Sequence, residues 1–174
     1  KIKLISGFKD DYYTWVEYGL QSIHNKTLKK INRGHDFECF LKAYEKTKSA
    51  GINVCVHVIF GLWETHDEIM ETAKKLAELE VDGVKIHMLC ALQNTKLAQI
   101  YESGGINFMD EDEYVQTVCD FLPETTTIHR LAGNGLSSEL IAPQWLGKKF
   151  DCLNKIDREF IKRSSHQGSK FIYK

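Results

Sequence analysis

The sequence predicts an α/β domain with a mainly parallel sheet and helices packed on one of its faces. Three observations carry that prediction. Segments rich in β-branched residues alternate with amphipathic ones, the spacing of a repeated strand-helix unit. The amphipathic segments carry readable caps and stops, as helices do. The strand candidates each split into an apolar and a polar face, because side chains alternate across a strand. A chain of 174 residues fits one core of this kind.

Strands are predicted at residues 14–20, 53–60, 83–89 and 126–131. Asp36 precedes the stripe Phe37, Phe40, Leu41 and Tyr44, and Gly51 follows as a stop, which places a first helix. Residues 66–80 place Ile69, Met70, Ala73, Leu76 and Ala77 on one face, with Glu71 four residues before Lys75 on another. A third helix starts near Thr95 and stops at Gly104 and Gly105. Asp110 with Glu113 reads as a capping box for a fourth, which buries Tyr114, Val115, Val118 and Leu122 before Pro123 closes it. Beyond Ala132 the alternation stops. Gly133, Asn134, Gly135 and Ser137 read as a loop, Pro143 and Trp145 lie in an irregular stretch, and residues 151–162 form a last helix on Leu153, Ile156 and Phe160. Residues 163–174 read as a surface tail.

Lys plus Arg at 23 against Asp plus Glu at 24 leave a net charge of -1, so no global field favours nucleic acid or anionic lipid. No apolar run approaches the roughly 20 residues of a membrane helix and no signal peptide opens the sequence, so a cytoplasmic protein is expected. The five cysteines are odd in number and scattered. They match neither a disulfide framework nor a zinc or iron-sulfur spacing, and are expected to be reduced and mostly buried.

Val16, Tyr18 and Leu20 oppose Glu17, Gly19 and Gln21; Val54, Val56, Val58 and Phe60 oppose Cys55, His57 and Ile59. Val84, Ile86 and Met88 oppose Lys85 and His87, and Ile128 opposes Thr127 and His129. One sheet face is therefore apolar, under the helices. The other gathers Glu17, Gln21, His57, Lys85, His87 and His129. A polar face on a parallel sheet meets either solvent, in a two-layer domain, or a ligand cavity, in the wall of a (β/α) barrel. His57, His87 and His129 on neighbouring strands either line such a cavity or hold a metal ion, the arrangement of a metal hydrolase.

The strings V-E-Y-G-L-Q-S from Val16, I-N-R-G-H from Ile31 and H-V-I-F-G-L from His57 resemble the fourth and fifth strands of radical S-adenosylmethionine (SAM) enzymes. K-I-H-M-L from Lys85 with Asn94-Thr95, I-H-R-L-A-G-N-G from Ile128, I-A-P-Q-W from Ile141 and the ending His166-Gln167-Gly168 narrow the likeness to a family of predicted bacterial iron-sulfur oxidoreductases in that superfamily. The resemblance implies a partial (β/α) barrel, TIM-like, with SAM across the strand ends and a four-iron four-sulfur cluster on the cysteines of a CxxxCxxC motif. That cluster would reduce SAM to methionine and a 5′-deoxyadenosyl radical, which abstracts hydrogen from a substrate the sequence does not identify. The sequence contains no CxxxCxxC. It therefore resembles the carboxyl-terminal half of such an enzyme, with residues 1–135 as barrel and 136–174 as a family-specific extension; a binding module without the cluster is the alternative.

Carried over by position, the resemblance implies that Gln21 contacts the ribose and methionine part of SAM, Arg33 its carboxylate and His57 its ribose. Ile59 and Gly61 match the strand-end pattern beside the adenine, and Leu89 ends the next strand there. Glu17, Lys85, His87 and His129 are implied to line the substrate cavity. Where the family has proline and one further residue before Glu-Thr, this chain reads Trp63-Glu64-Thr65, a shorter turn. A sheet beginning at residues 14–20 is expected to expose an edge, which either residues 1–13 cover or a second copy pairs with, making a homodimer.

Overall fold

The computed structural model describes residues 1–133 and 138–170, in which four parallel strands form one sheet. These are β1 (Trp15–Gln21), β2 (Asn53–Phe60), β3 (Gly83–Met88) and β5 (Thr127–Arg130), ordered β1-β2-β3-β5. Their bounds lie within a residue or two of the predicted ones. The linking helices are α3 (Phe37–Ser49), α4 (His66–Glu78) and α6 (Glu111–Phe121), with α5 (Lys96–Glu102) preceding α6. Helix α7 (Lys149–Lys162) packs on α6.

The apolar strand face is the core. Leu20, Val54, Val56, Val58, Phe60, Val84, Ile86 and Met88 are buried under Phe40, Tyr44, Ile69, Leu76, Tyr114 and Phe121 from the helices. The period-2 pattern thus sets which face each strand turns to the helix layer. Asp36 accepts the Cys39 N–H at 2.8 Å and caps α3, and Asp110 accepts the Glu113 N–H at 2.8 Å and caps α6. The reciprocal capping box forms at α4 instead, between Thr65 and Glu68. That helix ends at Glu78 rather than Glu80, because Glu80 turns left-handed at φ 52° and its N–H bonds the Ala77 carbonyl.

Short elements escape the periodic pattern. Helices α1 (Ile2–Ile5) and α2 (Asn25–Lys30), and the antiparallel pair β4 (Ala91–Leu92) with β6 (Leu140–Ala142), are too brief to show a period. The pair gives order to part of the stretch read as irregular. The predicted loop at Asn134, Gly135 and Ser137 lies outside the described residues. Residues 1–13 form α1 and a 3-10 turn (Ser6–Phe8), not a strand, and Lys9 donates to the Ala50 carbonyl at 3.3 Å.

The predicted surface tail is a correction. Gln167 Nε2 donates to the carbonyls of Pro123 and Thr126 at 2.7 and 2.8 Å, and the Gly168 N–H donates to Leu122 O at 2.9 Å. Gly168 is buried at φ 85°, and a Cβ there would overlap the Glu124 backbone, so the His-Gln-Gly ending is a latch that fits only glycine. Its role is invisible to periodicity because its partners lie more than 40 residues away in the chain. Replacing Gln167 by Ala is expected to lower stability by about 1–3 kcal/mol, since two carbonyls lose their donor. Urea unfolding would show it as a lower midpoint, and an unchanged midpoint would contradict the latch.

Candidate cofactor and substrate site

At the carboxyl end of β1 the chain departs from regular extension. A register shift between Gly19 and Gln21, with Gln21 at φ 74°, turns the Gln21 amide back over Gly19. Arg33, in the loop after α2, donates from Nη2 to Gly19 O at 2.7 Å. A Cβ on Gly19 would lie 2.6 Å from Arg33 Nη2 and 2.7 Å from Gln21 Nε2, so any side chain at residue 19 would push both side-chain ends aside. The Arg33 Nε is buried and has no partner. Gln21 and Arg33, predicted from separate motifs, thus share one place.

Lower on the same face Glu17 joins three strands. Its carboxylate accepts from Lys85 on β3 and lies 3.0 Å from His57 Nε2 on β2. The Lys85 hydrogen bond holds the Glu17 carboxyl below its ordinary value, against a smaller opposing effect of burial. The His57 and His87 rings stack with centroids 5.5 Å apart. Burial lowers the His87 pKa, and the positive charges of Arg130, His57 and Lys85 lower it further. Its Nε2 is buried without a partner.

His129 lies on the polar face, as the alternation predicts, but lower than the other histidines. Its ring meets Trp15 edge-on at 4.4 Å, and its Nε2 would stand 2.7 Å from a Cβ on Gly83. Trp15 and His129 belong to the two outer strands, so their contact shows how strongly the sheet curls around this face. A register shift in β5 also brings Arg130 opposite Lys85, a residue the simple alternation did not select. The three histidines do not gather around one point; among the described residues the metal-competent group is Glu17, Cys55 and His129.

Past the strand ends, Gly61 at φ 91° sits where a Cβ would meet Met88 Cε at 3.2 Å and Leu89 Cβ at 3.4 Å. The Leu89 N–H donates to Phe60 O at 2.9 Å, extending the β2-β3 ladder one step. Ile59 pairs with His87 just below. Beside Gly61 a cavity of about 260 Å³ is lined by Trp63, Ile106, Phe108 and Met109. Lys30 sits over the Trp63 ring at 4.2 Å, so the shortened turn is held by a cation-π contact. The predicted residues therefore fall into three groupings: Gln21 with Arg33, Glu17 with His57, Lys85 and His87, and Gly61 with Leu89.

The class follows from comparison with known proteins. The model of the radical SAM superfamily matches residues 2–87 and that of the radical SAM C-terminal domain matches residues 81–162. The chain belongs to the radical SAM superfamily. It is 43% identical over 163 residues to the uncharacterised protein YtqA of Bacillus subtilis, an alignment covering 91% of this chain and 51% of the relative. It is 32% identical to the protein YhcC of Escherichia coli over 97% of this chain and 56% of the relative. The chain spans about half the length of these curated relatives. The solved structure of Elp3 from Methanocaldococcus infernus, with an amino-terminal deletion, superposes with a TM-score of 0.77 at 22% identity, covering 95% of this chain and 40% of that one. That likeness concerns the fold alone, and it bears out the partial barrel.

The family implies SAM and a four-iron four-sulfur cluster, and this chain fits them unequally. The unpartnered Arg33 Nε and the glycine-lined cradle suit the charged end of SAM. The thiols do not suit a cluster, which needs three thiolates at one place. Cys39 is exposed on α3, Cys55 lies on the polar sheet face, Cys90 follows β3, and Cys119 and Cys152 are buried on α6 and α7. Burial raises Cys55, Cys119 and Cys152 to about 11, which keeps them protonated.

A lowered His87 pKa makes stability depend on pH. The folded chain resists protonation below the ordinary value of 6.5, whereas the unfolded chain accepts a proton there. This contribution is therefore complete above 6.5 and is lost as the pH falls through the folded value. Denaturation of the wild type and His87→Gln across that range should show a shallower loss in the variant; parallel curves would contradict the burial of a neutral imidazole.

Proposed function

We propose that this chain is the SAM-holding part of a radical SAM enzyme whose cluster thiolates come from outside these 174 residues. One observation carries the reading: a buried guanidinium N–H at Arg33 without an acceptor, where Gln21 and Arg33 close together over Gly19. An unsatisfied buried donor is costly, and a carboxylate placed there accepts a charge-assisted hydrogen bond. In this reading Arg33 holds the SAM carboxylate, Gln21 contacts the ribose and methionine part, and His57 the ribose. Ile59, Gly61 and Leu89 offer the adenine an apolar strand end with close backbone approach. Held by these residues beside a reduced cluster, SAM would supply the radical chemistry of hydrogen abstraction. Glu17, Lys85, His87 and His129 line the substrate cavity beneath and position what is to be attacked. The separation of the five thiols also favours a second reading, a SAM-binding module without a cluster.

Calorimetry with SAM tests the cradle. The wild-type chain should bind, and Arg33→Lys, which keeps the charge but loses the fork, should weaken binding by about tenfold or more. Gly19→Ala, whose Cβ would displace the ends of Gln21 and Arg33, should also weaken it. Equal affinity in all three would overturn the assignment. Anaerobic reconstitution separates the readings once the partner half is supplied: iron-dependent SAM cleavage supports the enzyme, and its absence with SAM binding intact supports the module.

A further inference from the structure

We propose that Glu17, Cys55 and His129 form a divalent-metal site of zinc type on the floor of the concave sheet face. The three ligand atoms come from β1, β2 and β5 and all lie within 4.8 Å of one another. Their convergence is built by the sheet. Glu17 and Cys55 are register partners, and Cys55 pairs in turn with Gly83. Residue 83 has no side chain, and the His129 ring occupies the space its Cβ would take. One layer of the barrel wall therefore presents a carboxylate and a thiol, with the imidazole of His129 brought over them in the space above Gly83.

A second observation points to a ligand. His129 Nε2, the ring nitrogen nearest Gly83, is shielded from solvent and has no hydrogen-bond partner. A buried polar atom of this kind ordinarily finds one, and a metal ion is a partner that only a lone pair can take. The surroundings supply outer contacts as well. Glu17 is oriented by Lys85 and His57, and a carboxylate retains lone pairs for a metal while accepting two such bonds. Edge contact with Trp15 fixes the His129 ring.

Mixed sulfur, nitrogen and oxygen donors suit zinc among the common divalent ions. Two anionic ligands and a neutral imidazole balance its charge. Three protein ligands leave a fourth position on the polar sheet face, the pattern of sites that take water or a substrate oxygen. On binding, the Cys55 S–H bond breaks, its proton passes to solvent, and the electron pair forms the sulfur-metal bond; nothing is oxidised or reduced. The site does not rest on the SAM reading, since none of its ligands belongs to the Gln21 and Arg33 cradle.

Cobalt reports the sulfur ligand directly. The full chain titrated anaerobically with Co²⁺ should bind about one ion, with a near-ultraviolet thiolate-to-cobalt charge-transfer band that Zn²⁺ displaces. Cys39→Ser, on the exposed thiol, should leave band and affinity unchanged. Cys55→Ser should remove the band. Because Cys55 is fully buried and its replacement can unfold the chain, His129→Gln is the second variant, expected to weaken cobalt binding by about tenfold or more. No band in the wild type, a band that survives Cys55→Ser, or unchanged affinity in His129→Gln would overturn the site.

Discussion

The carboxylate of Glu17 ties three strands together on the face that the helices do not cover. It holds Lys85 and His57, and these hold their own strands in register on the polar side. A parallel sheet with both faces under helices would leave no room for such charges. Here burial of Val54, Val56, Val58, Val84 and Ile86 on one face commits the alternate residues to the other. The ion pair is partly solvated, so its worth lies less in stability than in arranging neighbours. It keeps His57 beneath the strand ends.

Two levels of that sheet face have different chemistry. The upper level is made by a break in regularity: Gln21 in left-handed geometry, Gly19 without a side chain, and Arg33 entering from a loop. The lower level is made by regularity, with Glu17, Cys55 and Gly83 in one layer and His129 folded over it. Only the upper level lies at the carboxyl ends of the strands, where ligand groups gather in such barrels. The division also separates the cofactor question from the metal question, because the two sets of side chains share no member.

Much of this was legible in the sequence for a plain reason: a period of two tells the faces of a strand apart. That pattern alone sets Glu17, His57, Lys85, His87 and His129 on one face. It could not show that a bulge brings Arg130 opposite Lys85, since a bulge leaves no periodic trace. Cys55 stood on the polar face in the alternation, yet its burial made it read as an inert thiol. Its meaning depends on Gly83, one strand over, and on how far the sheet curls. Gln167 looked like part of a tail because its carbonyl partners at Pro123 and Thr126 are remote in sequence. The motif resemblance supplied Arg33, which no periodicity selects.

Arg33 Nε–H, unpartnered and buried, is the donor free to meet a ligand carboxylate. Its side-chain N–H resonance can be followed by NMR while the chain is titrated with SAM. Acceptance of a charge-assisted hydrogen bond should move it downfield with a saturable dependence, together with the backbone signals of Gly19 and Gln21. An Arg33 resonance that stays in place at saturation, while signals elsewhere in the chain shift, would contradict the account.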